Sequence, residues 1–282
     1  MTGVYLAHAL SAKDIPFTWS DLDAAVCAWK ASTGCVYPSG NSMDQSAYHM
    51  WRLGAPFQPE LIAAAPFWYN TRNAPDGGKD APAETKDDLH RHHLPSIHLN
   101  VQRFVEGGRK VYAANRWIGD WTNAPLDATR VVAHGFGARL HHYVWGWSRK
   151  VRLYYNPEHF GERACFYLKR GRFLTAYAYP VPGEDAWYAG SAMVAQQQPH
   201  QNDAYRWYAR WLEYFLSWSH HLVDVEPVEE PRQGWRPKPA RGDDAWVRWI
   251  DGKLHVKPQG SNGVRHAPYV ASAVVEELTR AS

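Results

Sequence analysis

The stretch KVRLYYNPEHFGERACFYLKRGRFLTAYAYPVP, residues 150–182, decides the fold class. Three runs rich in Val, Tyr, Phe and Leu alternate with short connections that carry Gly or Pro, a pattern typical of antiparallel strands. The runs cover residues 150–156, 163–170 and 172–181, and Gly171 joins the last two. We therefore predict a central antiparallel β-meander.

Helical patterns lie on both sides of this meander. Asn202 is expected to cap a long amphipathic helix over residues 203–222, whose aromatic side chains share one face and form core. Further helices are predicted over residues 20–31, 43–53, 58–65 and 268–280. The chain is therefore expected to be an α+β protein with a helical N-terminal region, the meander, the amphipathic helix and a C-terminal hairpin plus helix.

Two hairpins are predicted from short turns that contain glycine. Residues 96–105 and 109–117 flank Glu106-Gly107-Gly108, and two short apolar runs flank Asp251-Gly252. The Asp-Gly dipeptide is a strong hairpin signal because both residues accept positive φ.

Shifts in composition divide the chain into segments. The predicted segments are a helical region over 1–71, a polar loop over 72–95, a sheet with its packed helix over 96–225, a Pro-rich strap over 226–244, and the hairpin and helix over 245–282. We expect the last segment to share one domain with residues 96–225.

The composition argues against several classes of protein. The sequence has no run of 18 apolar residues and no signal-peptide pattern, so we expect a cytoplasmic protein and no membrane partner. Its three cysteines show no CxxC spacing, which speaks against a disulfide framework. No Gly-x-Gly-x-x-Gly, Walker A or Gly-x-Ser-x-Gly motif is present.

Positive charge is concentrated in the middle of the chain. Residues 91–172 hold 14 Lys/Arg against 5 Asp/Glu, while the whole chain carries only +3. Cations bind phosphates and aromatic rings stack on bases, so this region predicts a nucleic-acid partner. The candidate nucleic-acid-binding residues are Lys150, Arg152, Tyr154, Tyr155, Lys169, Arg170 and Arg172.

Histidines supply the candidate catalytic residues. His98 lies in an apolar run, His134 precedes Gly135, and His142 forms a pair with His141. Imidazoles exchange protons near neutral pH, so these three could share general acid and base roles. The leading hypothesis is therefore a protein that cleaves or modifies RNA or DNA, such as a nuclease.

A second group of histidines could bind a metal. His90, His92 and His93 follow two aspartates in a polar loop, and imidazole with carboxylate is a common divalent metal site. The sequence predicts no organic cofactor, and a divalent metal at these residues is the alternative.

Two other functions are kept as alternatives. The large number of Trp and Tyr residues fits a non-catalytic assembly or interaction protein, such as a viral structural component, because aromatic side chains are enriched at interfaces. A metal-dependent small-molecule enzyme is the other alternative.

Overall fold

The computed structural model describes residues 1–20, 28–37, 42–54, 56, 62–70, 89–116, 129–133, 143–170, 174–195, 203–217, 222–237, 247–256 and 263–281. The α-helices in these ranges are α1 (Thr2–Ser11), α2 (Ser42–Leu53), α3 (Val101–Val111), α4 (Pro157–Phe160), α5 (Asp203–Ser217) and α6 (Gly263–Ala281). Ala28–Ala31 and Ala113–Asn115 form short 3-10 helices.

The strands are numbered in chain order. They are β1 (Cys35–Val36), β2 (Ile62–Ala65), β3 (Phe67–Asn70), β4 (Leu89–Arg91), β5 (Ser96–Leu99), β6 (Arg130–Val132), β7 (Tyr143–Tyr155), β8 (Cys165–Arg170), β9 (Leu174–Pro180), β10 (Trp187–Ala195), β11 (Leu222–Pro227), β12 (Arg232–Pro237), β13 (Val247–Ile250) and β14 (Lys253–Val256). Helices and strands in mixed sheets confirm the predicted α+β class.

A large sheet is the centre of the molecule. In the described residues it has eight strands in the order β11-β7-β10-β9-β8-β3-β4, and β12 pairs with the other half of the β7 edge. The antiparallel pairing of β8 with β9 confirms the last two strands of the predicted meander, and β10, which the sequence patterns did not predict, pairs with β9 on its other side. The strand β7 lies beyond β10 instead of beside β8.

The aromatic face of α5 covers one side of this sheet. Trp211 and Phe215 are fully buried, and the Trp211 indole donates a hydrogen bond of 3.2 Å to the carbonyl of Tyr177 in β9. Trp147 of β7 meets Trp211 edge to face, with ring centroids 6.3 Å apart. The aromatic stripe is therefore core, as predicted.

A smaller sheet packs beside the large one. It has the order β1-β5-β2 and is covered by α2 and α3, whose Trp51 and Phe104 side chains are buried. Helix α1 packs on α6 and α3. The parallel pair β14-β6, extended by β13, forms the third sheet within the described ranges.

Several predicted elements are confirmed. Helix α2 matches the prediction over 43–53, α6 includes the predicted 268–280, and β13 and β14 form the predicted hairpin. Asp251 and Gly252 have φ values of 50° and 69°, the backbone that this tight turn needs.

Other predicted elements are wrong. Residues 96–117 do not form a hairpin, because β5 is followed by α3, which Asn100 caps by accepting a hydrogen bond of 3.2 Å from the Arg103 amide. Residues 62–65 of the predicted helix 58–65 are strand β2. The predicted strap 226–244 contains β12, and β11 begins at Leu222, the last residue predicted for the amphipathic helix. Most of the predicted helix 20–31 and the loop 72–88 lie outside the described residues.

Candidate functional site

One chain crossing brings the two main sheets together. Strand β2 pairs with β5 in the small sheet, and after Pro66 the chain continues as β3, which pairs with β8 in the large sheet. The Cys165 amide donates a hydrogen bond of 2.8 Å to the Pro66 carbonyl at this crossing. Residues of β5 and β8 thus come close, although they are far apart in the sequence.

Three side chains meet at this crossing and are called the Cys-His cluster: Cys35, His98 and Cys165. Cys35 of β1 lies opposite His98 of β5 in the antiparallel register, and Cys165 begins β8. One ligand atom from each, Sγ or an imidazole nitrogen, lies within 4.8 Å of the other two. Cys165 and His98 are fully buried, whereas Cys35 is partly exposed and both cysteines are free thiols.

Hydrogen bonds hold the His98 ring at one of its two nitrogens. Nε2 lies 2.7 Å from Oγ of Ser96, and that hydroxyl donates to the Ala65 carbonyl at 3.2 Å. With the Ser96 proton given to Ala65, we assign Nε2 of His98 as the donor and the lone pair to Nδ1. Nδ1 is buried and has no hydrogen-bond partner among the described residues.

Burial favours the uncharged forms of His98 and Cys165. Burial, aided by the positive charge of Arg163, lowers the pKa of His98 to about 3, so its imidazole is neutral at physiological pH. Burial also raises the pKa of the Cys165 thiol well above its usual range, and the neighbouring Cys35 adds to this effect. The pKa of Tyr179 is raised in the same way, by burial first and then by Cys35.

Aromatic side chains surround the cluster. The rings of Tyr177 and Tyr179 stack at 4.7 Å with an interplanar angle of 2°, and Tyr37 stacks on Phe67 at 5.1 Å. Gly190 of β10 makes room for this layer, because a Cβ there would lie 2.5 Å from the Tyr177 ring. The environment of the cluster is therefore apolar and of low dielectric constant.

A buried ionic network lies next to the aromatic layer. Oδ2 of Asp44 in α2 lies 2.8 Å from Nη1 of Arg265 in α6, and Oδ1 lies 2.5 Å from Nε2 of His266. The Arg265 guanidinium also stacks over the Tyr37 ring at 4.0 Å. Burial opposes the charge of Arg265, but Tyr37 and Asp44 outweigh it and raise its pKa.

The predicted catalytic histidines are only partly placed by the structure. His98 lies in the Cys-His cluster, whereas His134 and His142 lie outside the described residues. The sequence interpretation missed Cys35, Cys165 and Asp44, because no local motif marks them and their contacts depend on the sheet crossing.

The predicted nucleic-acid-binding residues do not form a free cationic surface where they are described. Lys150 pairs with Glu184 at 2.7 Å, and Arg152 and Tyr154 both contact Glu226 at 3.3 Å and 3.1 Å. The Tyr155 ring packs against the core of the large sheet. The side chains of Lys169 and Arg170, and all of Arg172, lie outside the described residues.

The predicted metal-binding histidines follow one another at the edge strand β4. His90 and His93 are exposed, and Nδ1 of His92 accepts a hydrogen bond of 3.1 Å from the Leu94 amide. In the described ranges, the group of His, Cys and carboxylate side chains close enough to share an ion is the Cys-His cluster. His90, His92 and His93 are not part of it.

Comparisons with known proteins identify the fold. No family model matches the chain, and no curated protein does. Among solved structures, glycine oxidase from Geobacillus kaustophilus matches with a TM-score of 0.67 and 13% identity, over 99% of this chain and 92% of that protein. L-Proline dehydrogenase from P. horikoshii matches with a TM-score of 0.63 and 10% identity, over 100% of this chain and 91% of that one.

A third solved structure adds a bound cofactor. Glycerol-3-phosphate dehydrogenase from Bacillus halodurans, complexed with FAD, matches with a TM-score of 0.59 and 12% identity. The match covers 99% of this chain and 62% of that protein, so this chain spans less than two thirds of its length. At these identities the likeness shows that the chain has the fold of these enzymes.

These matches correct the predicted function. The interpretation as a nucleic-acid-binding hydrolase or nuclease is wrong, and so is that as a viral structural component, because the chain has the fold of small-molecule redox enzymes along its whole length. The expectation of a nucleic-acid partner is wrong for the same reason. The expectation of no organic cofactor, with a divalent metal as the alternative, is also wrong, since a solved structure with this fold is complexed with FAD. The search for membrane-spanning helices found none in the described residues.

Proposed function

We propose that this chain is an FAD-dependent oxidoreductase that acts on a small molecule. The observation that carries the proposal is the match of the entire chain to solved redox enzymes, one of them complexed with FAD. FAD, when bound, accepts two electrons from the substrate. A cytoplasmic location and the division of the chain into the five predicted segments remain proposals.

The first helix is the part of the described structure that fits a dinucleotide. Helix α1 begins at Thr2, has no side-chain cap, and leaves the first amides without an intrahelical acceptor. Gly3 lies in its first turn, is exposed, and has open space around its Cβ position. A helix N-terminus carries partial positive charge, so the amides of Thr2, Gly3 and Val4 are those we assign to the FAD pyrophosphate.

One expected feature of such a site is missing from the sequence. The 282 residues contain no Gly-x-Gly-x-x-Gly fingerprint, which in dinucleotide-binding folds lets the backbone approach the pyrophosphate. Within the described residues, we assign the pyrophosphate interaction to the first amides of α1.

The direct test is titration of the purified chain with FAD. Binding is followed by flavin absorbance and by quenching of the 15 tryptophans, with riboflavin as a ligand that lacks the pyrophosphate. We expect FAD to bind more tightly than riboflavin. If the folded chain binds neither up to about 1 mM, an affinity weaker than about 4 kcal/mol, the proposal is wrong.

A charge substitution at Gly3 tests the assigned amides. Gly3→Asp places a carboxylate where the pyrophosphate would lie, and Gly3→Asn is the neutral variant of the same shape. We expect Gly3→Asp to weaken FAD binding at least about tenfold relative to Gly3→Asn, through repulsion of about 1.4 kcal/mol or more, and to leave riboflavin binding unchanged.

The same substitution has the opposite effect on stability. An acidic side chain in the first helical turn is stabilising by about 0.3–1 kcal/mol, so Gly3→Asp should unfold later than Gly3→Asn. Weaker FAD binding could not then be ascribed to misfolding. Equal FAD affinity of the two variants would show that α1 does not bind the pyrophosphate.

Substrate oxidation is tested separately. The FAD-loaded chain is mixed anaerobically with glycine, L-proline or glycerol 3-phosphate, the compounds in the names of the matched enzymes. Bleaching of the flavin absorbance identifies a substrate. FAD binding without bleaching by any small amino or hydroxy acid would leave a flavin-binding protein and contradict the oxidoreductase proposal.

A further inference from the structure

The Cys-His cluster has the composition of a site for a soft metal ion. Thiolate sulfur selects Cu(I) or Zn(II) over harder cations, and imidazole suits both ions. The three ligand atoms already lie within 4.8 Å of one another, so a small inward shift would bring them to one ion. The three residues come from different strands, and the backbone of two sheets fixes their positions.

We propose that Cys35, His98 and Cys165 bind one Cu(I) ion in a three-coordinate site. This inference is independent of the proposed FAD function, because it depends only on the cluster and its surroundings.

The imidazole of His98 is prepared for such a role. Its Nδ1 atom is buried, has no hydrogen-bond partner in the described part of the chain, and carries the lone pair. Its other nitrogen donates to Ser96, which in turn donates to the Ala65 carbonyl. This is the arrangement by which outer hydrogen bonds orient a metal-binding histidine. Ser96 is thus a positioning residue for the ligand His98.

The number of ligands and the nearby charges favour Cu(I) over Zn(II). Zn(II) completes four ligands, with a water beside three protein ligands in catalytic sites, whereas Cu(I) is satisfied by the three ligands that the described residues bring together here. Two thiolates and Cu(I) have one net negative charge, whereas two thiolates and Zn(II) are neutral. The positive charges of Arg163 and Arg265 act on His98 and Cys35, which favours the negatively charged complex.

The ion can reach the site, and the binding reaction balances in protons and electrons. Cys35 is partly exposed, so the ion has a route to the buried ligands. Binding replaces two thiol protons, which leave to solvent, and copper stays Cu(I) throughout. No oxidant or reductant is consumed.

The experiment is an anaerobic titration of the reduced full chain with Cu(I) against a chromophoric Cu(I) chelator. We expect one Cu(I) per chain, and X-ray absorption should show two sulfurs and one nitrogen around copper. Cys35→Ser and Cys165→Ser should each weaken binding at least about 100-fold, and Ser96→Ala about 10–100-fold. His255→Asn, which changes a partly buried histidine of β14, is the matched control and should bind like the wild type.

Three outcomes would overturn the proposal. The first is a reduced, folded wild-type chain that does not compete with the chelator. The second is copper surrounded only by nitrogen and oxygen, which would place the ion elsewhere. The third is Zn(II) held in the same site against excess Cu(I). Should Cys165→Ser not fold, the absorption spectrum of the wild type and the affinity of Cys35→Ser still decide the question.

Discussion

Removing the charge of Asp44 should strongly destabilise the protein. Asp44 is 5% exposed and contacts Arg265, which is 6% exposed and lies on another helix. Asp44→Asn keeps the shape of the side chain but leaves the guanidinium without its counter-charge. Two helices, α2 and α6, lose one of the interactions that join them.

The expected loss follows from the burial of both partners. Breaking a buried ion pair by removing one charge costs about 3–5 kcal/mol, because the remaining charge is not solvated. At about 2–4 °C per kcal/mol, the melting temperature should fall by about 6–20 °C. The Tyr37 ring, 4.0 Å from the Arg265 guanidinium, offsets part of this loss and favours the lower end of the range.

The assay is urea unfolding of the wild type, Asp44→Asn and a matched control. Glu277→Gln makes the same carboxylate-to-amide change at an ion pair with Arg280, whose side chain is 70% exposed. Exposed pairs contribute about 0–1 kcal/mol, so this control should unfold almost like the wild type. If Asp44→Asn costs no more than Glu277→Gln, the burial argument is refuted. Adding Arg265→Met to Asp44→Asn should recover part of the loss, since no buried charge then remains.

Three further predictions concern the same region. Gly34→Ala should lower the free energy of unfolding in urea by more than about 3 kcal/mol, because φ is 68° and the new Cβ would lie 1.8 Å from the Leu99 carbonyl oxygen. The control is Gly252→Ala, where φ is 69° but the Cβ position is open, and it should lower this free energy by only about 1–2 kcal/mol. Gly190→Ala should cost about 1–3 kcal/mol in the same assay, because the stacked Tyr177 ring must move. As the pH falls from 6.5 to about 3, the unfolding free energy should fall by about 1.4 kcal/mol per pH unit, because unfolded His98 binds a proton in this range and folded His98 does not. His98→Asn should remove this slope in the pH dependence of unfolding. An unchanged slope in that variant would contradict the prediction.

Local sequence patterns were sufficient for much of the fold. Helix α2, the aromatic face of α5, the meander strands and the Asp251-Gly252 turn all follow from periodicity or turn chemistry over a few residues. The prediction of a hairpin over residues 96–117 was wrong for a local reason as well. Gly107 and Gly108 resemble a turn, but both are buried within α3, where small residues allow close packing.

The candidate site could be predicted only in part. His98 was recognised as chemically important, but its partners Cys35 and Cys165 carry no spacing signal and meet it through the crossing at Pro66. The basic residues led to the wrong prediction of a nucleic-acid-binding surface for a similar reason. Their acidic partners, such as Glu184 and Glu226, approach only through long-range strand pairing and turns.

The long strand β7 has a consequence for how the chain assembles. One of its edges is covered by β10, while the other is covered by β12 over its first half and by β11 over its second. Until residue 237 has left the ribosome, the nascent protein exposes an unpaired, largely apolar edge of the kind that recruits other chains. Between the pairing of β7 with β10 and the emergence of β11 and β12, this edge is therefore open to pairing with other chains.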